Sequence, residues 1–431
     1  MALRLRAELT PGRLRKLRYA PVLALSMGLM LVRLLIMARL LSLPDFAVYS
    51  AVLLVSSSFC MLACMGLQSL LQRDLPMMIV RQRERAGGVL LMQCTLVAAA
   101  CAAVGAAVVV TGGVSLAGLS PTLLMVALIH GLSQQLFLIA TIDSRSRNQP
   151  LRFARQNLDR ALAVLAAGGV IAALGGQAAL VLATEAVISL ALAAWLLRQQ
   201  FHAIPLRFVT ALRLAWRRLP TTRWRSALAL LAVASLGFLV INADRWLAAQ
   251  WLPASAFARY AFAWLLLMVA QSVQVVINAS LYPMLARRYA IEGGLHAFGM
   301  SARASLGLLA GGALLAVPLW TLLDLAIARW FPAYGEARSL LPVFLVIAVL
   351  RVSNFWSSYL VVVGREGRLL ILNLMSAGAA AATWWLLAPP SAGELRADQI
   401  ALLALLLSAS GYAVVALAAW HHAQTSREEP A

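Results

Sequence analysis

Residues 20–51 read APVLALSMGLMLVRLLIMARLLSLPDFAVYSA, and the rest of the chain repeats the pattern of this stretch. An apolar run of 22 residues (20–41) is followed by the short turn LPD (43–45) and by a second apolar run from Phe46. A helix of about 20 residues spans the hydrocarbon core of a bilayer, so the first run predicts a membrane-spanning helix. The run is too long for the core of a signal peptide. We therefore expect it to remain as the first helix.

Twelve apolar runs of this kind occur in the 431 residues. They cover residues 20–41, 46–71, 87–111, 121–141, 158–175, 178–197, 226–248, 256–283, 302–323, 339–363, 369–388 and 399–420. A content of 62% hydrophobic and 12% charged residues, with a mean hydropathy of +0.84, is typical of a membrane protein and not of soluble domains. The sequence therefore predicts an all-α integral membrane protein with twelve transmembrane helices.

The 36 basic residues alternate between the gaps that separate these runs. If the four run residues next to each gap are counted with it, 28 of the basic residues lie before the first run, in every second gap or after the last run. The remaining gaps hold only six. Basic loops stay in the cytoplasm, so both termini are predicted to be cytoplasmic. The formal net charge of +20 then belongs to loops that face an anionic leaflet, and we expect no nucleic acid partner.

The two halves of the chain contain similar short segments. The Leu-Pro turn that precedes FAVY (46–49) recurs before FARY (257–260), in each case between two apolar runs. Parallel repeats of six helices are a common way to build a transporter. We therefore predict an N-terminal six-helix lobe over residues 1–197, a basic cytoplasmic linker over 198–225, and a C-terminal lobe of the same orientation over 226–431.

The predicted linker contains an amphipathic segment. Phe208, Leu212, Ala215 and Leu219 fall on one helical face, and the neighbouring arginines lie largely off it. This pattern predicts a helix that rests on the cytoplasmic membrane surface. A basic solvated linker that serves only the topology is the alternative.

Five short segments, taken in order, resemble a known family. They are PDFAVY (44–49), DRW (244–246), LYP (281–283), FPAY (331–334) and GREGR (364–368). The chain resembles the bacterial polysaccharide flippases, including O-antigen flippases, of the multidrug/oligosaccharidyl-lipid/polysaccharide (MOP) exporter superfamily. It departs from the usual pattern at Ala47, where this family usually has glycine.

The resemblance implies a V-shaped, MATE-like pair of lobes around a cavity that opens alternately to each side. It also implies a flippase, not an enzyme, in the bacterial inner membrane. The expected cargo is an oligosaccharide linked to polyprenyl pyrophosphate, a repeat unit for polysaccharide or lipopolysaccharide biosynthesis. A monomer without a cofactor is expected, and a polysaccharide polymerase and glycosyltransferases are its expected partners.

Arg33 and Arg351 are the two basic residues that lie deep inside apolar runs, at least eight residues from either end. An arginine near the bilayer centre costs about 2.5–3.5 kcal/mol or more unless it faces water or a partner. Its planar fork can bind two phosphate oxygens at once, so both are candidates for binding the pyrophosphate. Snorkelling to the surface and a buried ion pair remain as alternatives for these arginines.

Further polar residues in the runs are candidates for lining a sugar path. When the two halves are aligned on the repeated Leu-Pro turn, Arg33 and Asn242 take equivalent positions. A second pair of similar segments, residues 152–157 and 368–373, gives an alignment in which Arg351 and Gln135 are equivalent. Hydrogen bonds between packed helices are an equally common use of such residues. The remaining candidates form two helical stripes: Gln271, Gln274 and Asn278 in the eighth run, and Asn354 with Arg351 in the tenth.

Glu185 and Asp244 are the acidic candidates for binding a coupling proton or sodium ion. A protonated packing role for Glu185 and a local ion pair of Asp244 with Arg245 stay open. Energy from ATP is excluded, because a P-loop needs a lysine after a glycine-rich turn and the only lysine is Lys16. The four cysteines show no disulfide or zinc spacing, and no metal site is predicted.

Two other functions compete with a flippase. A multidrug-type antiporter of the same superfamily would export amphipathic cations and would need acidic or aromatic cavities, which two membrane arginines do not favour. A membrane polymerase or ligase of lipid-linked glycans would need a large outside loop, whereas the longest outside gaps here are near 324–338 and 389–398.

Overall fold

The computed structural model describes residues 19–204, 206–387 and 395–428, and most of these residues are helical. The chain divides into two compact units, residues 1–239 and 240–431. Over its described residues, unit 1 comprises α1 (Tyr19–Leu40), α2 (Leu43–Leu62), α3 (Leu67–Val80), α4 (Glu84–Gly112), α5 (Pro121–Ser146), α6 (Pro150–Ala173), α7 (Ala178–Ala203), α8 (Phe208–Arg218) and the first half of α9 (Trp224–Trp251).

Unit 2 begins within α9. It continues with α10 (Ala254–Glu292), α11 (Gly294–Trp330), a 3-10 helix (Pro332–Leu340), α12 (Leu341–Ser353), α13 (Trp356–Val362), α14 (Glu366–Leu387) and α15 (Ala397–Glu428). Most of the predicted outside gap 389–398, and the basic residues that precede Tyr19, lie outside the described residues.

Within the described residues, eleven helical segments are long and apolar enough to cross a membrane. They match every predicted run except the fifth, 158–175. That run lies in α6, where Arg152, Arg155, Asp159 and Arg160 reduce the apolar character of the helix. The chain is therefore an all-α protein with many membrane spans, and α6 as a twelfth span stays a prediction.

The predicted Leu-Pro turn separates α1 from α2. Helix α1 ends at Leu40, and α2 begins at Leu43 with Pro44 in its first turn. Ser42 is the N-cap, and its Oγ accepts a hydrogen bond from the backbone N–H of Asp45 (3.3 Å). Proline in the first turn leaves no extra donor unsatisfied, so the local sequence sets this boundary.

The second apolar run, 46–71, is not one helix. Helix α2 ends at Leu62, and the left-handed backbone of Met65 (φ 48°) and Gly66 (φ 81°) separates it from α3. A Cβ atom on Gly66 would lie 1.9 Å from the carbonyl oxygen of Ala227. Only glycine permits both this backbone conformation and this close approach of α9.

The tenth run, 339–363, is also interrupted. Helix α12 ends at Ser353 and α13 begins at Trp356, so Arg351 and Asn354 do not share one continuous helix face as the sequence predicts. Hydroxyls of α11 satisfy the backbone at this break. Ser301 Oγ donates to the Phe355 carbonyl (3.1 Å), and Ser305 Oγ accepts from the Phe355 N–H (3.2 Å).

Helix α5 is central in unit 1, where it packs on α2, α4 and α7. Its closest approach to α2 is at Gly131, where a Cβ atom would lie 2.6 Å from the carbonyl oxygen of Ser56. Beside this contact, Ser56 Oγ donates to the Ala127 carbonyl (2.9 Å). The small side chain of Gly131 thus lets α2 and α5 bring polar groups together inside the unit.

The amphipathic segment of the predicted linker forms α8, which packs on α4. Ala211 and Ala215 are buried in this contact, and Gln93 Nε2 of α4 donates to the Ala215 carbonyl (3.3 Å). Phe208 and Trp216 lie instead on the exposed side. The apolar face predicted from the sequence is therefore divided between a small-residue contact with α4 and an exposed aromatic side.

Candidate functional site

Glu185 of α7 is fully buried and collects donors from three other helices of unit 1. Arg33 Nη1 of α1 lies 3.1 Å from Glu185 Oε2 and forms an ion pair with it. Tyr49 Oη of α2 donates to Oε1 (3.0 Å), and His130 Nε2 of α5 lies 3.5 Å from Oε2. This cluster joins four helices around one carboxylate.

His130 has polar neighbours at both ring nitrogens. Gln134 Nε2 (3.1 Å) and Ser56 Oγ (2.9 Å) lie within hydrogen-bond distance of Nδ1, and Nε2 faces Glu185. A carboxylate only accepts hydrogen bonds, so a hydrogen bond from His130 to Glu185 requires the ring proton on Nε2.

Arg160 of α6 adds a second guanidinium to this cluster. Its Nε donates to Ser189 Oγ (3.2 Å), one turn beyond Glu185 on α7, and its guanidinium lies 4.7 Å from the centre of the Phe137 ring. It interacts electrostatically with both Glu185 and Arg33. Arg160 therefore does not lie in the solvated basic gap to which its sequence position assigns it.

The charges of this cluster do not cancel. Two guanidinium groups, Arg33 and Arg160, face one carboxylate, so one positive charge remains when His130 is neutral. The Nε atom of Arg33 is buried and, among the described residues, has no hydrogen-bond partner. Arg33 is 5% exposed, so its side chain does not reach the surface. Its contact with Glu185 is a buried ion pair, which is one of the alternatives considered from the sequence.

Unit 2 contains a comparable cluster around Asp244 of α9. This carboxylate is fully buried, and its Oδ2 accepts from Tyr260 Oη (2.7 Å) and Trp264 Nε1 (3.1 Å) of α10. Its Oδ1 has no hydrogen-bond partner among the described residues. The guanidinium of Arg245 lies over the Trp264 ring (4.3 Å to its centre), and no Asp244–Arg245 side-chain salt bridge is found in the described part of the chain.

Arg351 is close enough to Asp244 for a favourable charge interaction. It lies near the end of α12, just before the helix break, where its Nε donates to Ser408 Oγ (3.3 Å) and its Nη2 to the Ile241 carbonyl (3.5 Å). Its Nη1 is buried and has no hydrogen-bond partner in the described part of unit 2. Arg351 thus keeps donor capacity for a further anion.

The two clusters are built on the repeated FAxY segment. Tyr49 and Tyr260 occupy the same position in this repeat, and each donates to the buried acid of its own unit. The acids themselves come from different helices, Glu185 from α7 and Asp244 from α9. The repeated segment therefore indicates which tyrosine donates the hydrogen bond in each unit, but it does not indicate which acid accepts it.

The other predicted site residues have mixed surroundings. Gln135 is buried, where its Nε2 contacts Cys64 Sγ and donates to Gln68 Oε1 (each 2.8 Å), which is a contact between helices. Asn242 is also buried. Gln271, Gln274 and Asn278 are partly buried along α10, and Asn354 lies at the break after α12.

Sequence patterns missed several members of these clusters, among them Tyr49, Tyr260, Trp264 and Arg160. Tyr49 and Tyr260 were visible as repeat residues, but no pattern linked them to an acid. Arg160 follows a cytoplasmic gap in sequence, and only the packing of α6 on α7 brings it to Glu185. In the described part of the chain, no group of three or more His, Cys, Asp or Glu residues could hold a metal ion.

The fold is similar to that of known membrane transporters, although no protein-family model and no curated protein matches the sequence. The eukaryotic MATE transporter AtDTX14 is 13% identical, with a TM-score of 0.60 over 97% of this chain and 99% of that one. The Vibrio cholerae MATE transporter VcmN, in a mutant form, is 14% identical, with a TM-score of 0.60 over 96% of each chain.

The lipid II flippase MurJ, in an inward closed conformation, is also similar. It is 10% identical, with a TM-score of 0.61 over 93% of this chain and 87% of that one. The chain therefore has a MATE-like fold, and these similar structures are transporters and a flippase. Because all the identities are below 15%, they establish the fold alone.

Proposed function

We propose that this protein is a flippase of the polysaccharide type. It would move a polyprenyl-pyrophosphate-linked oligosaccharide from the cytoplasmic to the outer leaflet of the bacterial inner membrane by alternating access. The observation that carries this proposal is the excess of guanidinium groups inside the two units: buried Arg33 and partly buried Arg160 around Glu185 in unit 1, and partly buried Arg351 with an unused donor in unit 2. One of the similar structures is a lipid flippase.

The chemistry of the cargo supports this assignment. A pyrophosphate carries several negative charges, and it must cross the membrane with a hydrated sugar while its lipid tail stays in hydrocarbon. Arginine can bind two phosphate oxygens with its fork and stays charged when it is desolvated. Arg351 would bind the phosphates, and other polar residues of the same unit would contact the sugar: Asn242, Gln271, Gln274, Asn278 and Asn354.

Arg33 would take part by exchanging partners. In the structure its Nη1 is bound to Glu185. If a phosphate attracts Arg33 away, the buried carboxylate loses its direct ion-pair partner, which favours uptake of a proton or another cation. Glu185 would thus couple transport to an ion, and Asp244, with its unpartnered Oδ1, is the second candidate.

A multidrug-type cation antiporter is the main alternative, because MATE transporters share this fold. An exported cation would need an acidic group that is free to receive it. Glu185 is instead bound by Arg33 and Tyr49, and Asp244 by Tyr260 with Arg351 nearby. The charge balance therefore favours an anionic cargo. A polymerase or ligase is not supported, because the similar structures are transporters and a flippase.

A cell-based experiment separates these functions. Depletion of the protein should cause the lipid-linked oligosaccharide to accumulate on the cytoplasmic side and should reduce surface polysaccharide. Sensitivity to lipophilic cations should stay unchanged. Normal surface polysaccharide together with increased cation sensitivity would contradict the flippase proposal and support the antiporter.

The proposed orientation, with both termini in the cytoplasm, can be tested by cysteine labelling. In a variant without its four cysteines, Thr221→Cys in the basic linker should resist an impermeant thiol reagent in intact cells. Ser115→Cys, in the exposed loop between α4 and α5, should react, because that loop is predicted to face outward. The reverse labelling pattern would overturn the orientation.

A further inference from the structure

A second basic site lies in unit 1, away from the Glu185 cluster. A pocket of about 480 Å³ is formed by the end of α3, the turn to α4 and the residue before α9. Four arginines and a single aspartate are among the residues that line it, which gives these charged groups a net charge of +3. They are Arg73, Arg81, Arg83, Arg223 and Asp74, and Met77 forms part of the apolar wall.

The aspartate of this pocket is already neutralised. Asp74 is 3% exposed, and its Oδ1 accepts from Arg73 Nε (2.8 Å). Its Oδ2 is bound by Arg223, which ties the basic linker to α3. Because both oxygens are occupied, Asp74 does not compete for the other two arginines of the pocket.

Arg81 and Arg83 have no ion-pair or side-chain hydrogen-bond partner among the described residues. Between them, Gln82 has a left-handed backbone (φ 56°), a conformation that costs free energy in a residue other than glycine. This turn holds two unpaired guanidinium groups at one pocket. An anion bound in the pocket would be attracted by both positive charges.

We propose that this pocket binds a phosphate-bearing anion. The forks of Arg81 and Arg83 suit phosphate oxygens, and Met77 offers an apolar surface next to them. The pocket lies on the side predicted to be cytoplasmic, so the anion is either the headgroup of a membrane lipid or a soluble phosphate compound. This proposal does not depend on the transported cargo, since it concerns a site separate from Arg33 and Arg351.

Binding can be measured with the purified full-length protein in neutral detergent. The probes are short-chain phosphatidylglycerol and inorganic pyrophosphate, and native mass spectrometry gives the bound fraction at each concentration. The Arg81→Gln, Arg83→Gln double variant should lose about fivefold in affinity for each arginine removed. Both arginines are exposed, so the double variant should keep the helical content of the parent protein.

Arg85→Gln is the matched control, because Arg85 is exposed in the first turn of α4 but is not among the residues that line the pocket. It should bind both probes like the parent. If the double variant loses only phosphatidylglycerol binding, the ligand is a lipid headgroup. If it loses only pyrophosphate binding, the ligand is a soluble phosphate compound. If the double variant and the Arg85→Gln control bind both probes equally, the pocket is not an anion site.

Discussion

Arg33→Ala should abolish transport and also destabilise the protein, because it leaves the buried carboxylate of Glu185 without its ion-pair partner. Removing one partner of a buried ion pair typically costs about 3–5 kcal/mol. Tyr49, His130 and Arg160 would remain as neighbours of Glu185, but Arg160 donates its Nε to Ser189 and does not replace the direct ion pair. The thermal midpoint in detergent measures stability, and surface polysaccharide at matched protein levels measures transport.

A double variant separates the structural from the functional part of this effect. Arg33→Met combined with Glu185→Gln removes both charges, and the amide can still accept from Tyr49, so the thermal midpoint should return close to that of the parent. Transport should stay lost. Arg39→Ala, an exposed arginine on the same helix, should change neither property. Normal transport by the double variant would show that the Arg33–Glu185 pair only stabilises the fold.

Arg351→Ala should reduce transport by about 10- to 100-fold, the loss expected for one hydrogen-bonded contact to a charged group. Its effect on stability should be smaller than that of Arg33→Ala, because Asp244 keeps its hydrogen bonds from Tyr260 and Trp264. Arg351→Lys should restore transport only in part, since lysine keeps the charge but lacks the two-point fork. Transport of a labelled lipid-linked oligosaccharide in vesicles provides the rates.

Arg329→Ala is the control for this prediction. Arg329 is an exposed arginine at the end of α11 in the same unit, and it should be dispensable. If Arg351→Ala transports at the parent rate with a normal amount of folded protein, Arg351 has no role in binding the cargo. A rate for Arg351→Lys equal to that of the parent would show that charge alone is sufficient.

Much of the helical fold follows from apolar run length. Eleven of the twelve predicted runs correspond to helical segments that could cross a membrane, because about 20 apolar residues are needed for a span. Run length did not reveal the breaks near Gly66 and Asn354. The first depends on a close contact with Ala227, and the second on hydroxyls of α11, and both contacts arise only in the folded chain.

The sequence predicted single charged residues of the site, but it did not predict which of them contact each other. Arg33, Glu185, Asp244 and Arg351 are visible because charged residues in apolar runs are costly. That Arg33 contacts Glu185, 152 residues away, depends on how α1 and α7 are placed around α2 and α5. Arg160 was missed for the same reason, because its sequence position next to a basic gap hides its packing against α7.

Reconstituted transport is the most direct test of the flippase proposal. Proteoliposomes loaded in one leaflet with a polyprenyl-pyrophosphate-linked oligosaccharide are incubated with a lectin or glycosidase that reaches only the other leaflet. We expect the purified protein to expose the sugar to this reagent, and the Arg351→Ala variant to do so about 10- to 100-fold more slowly. Sugar that stays inaccessible, while the same vesicles exchange a lipophilic cation for protons, would contradict the flippase account.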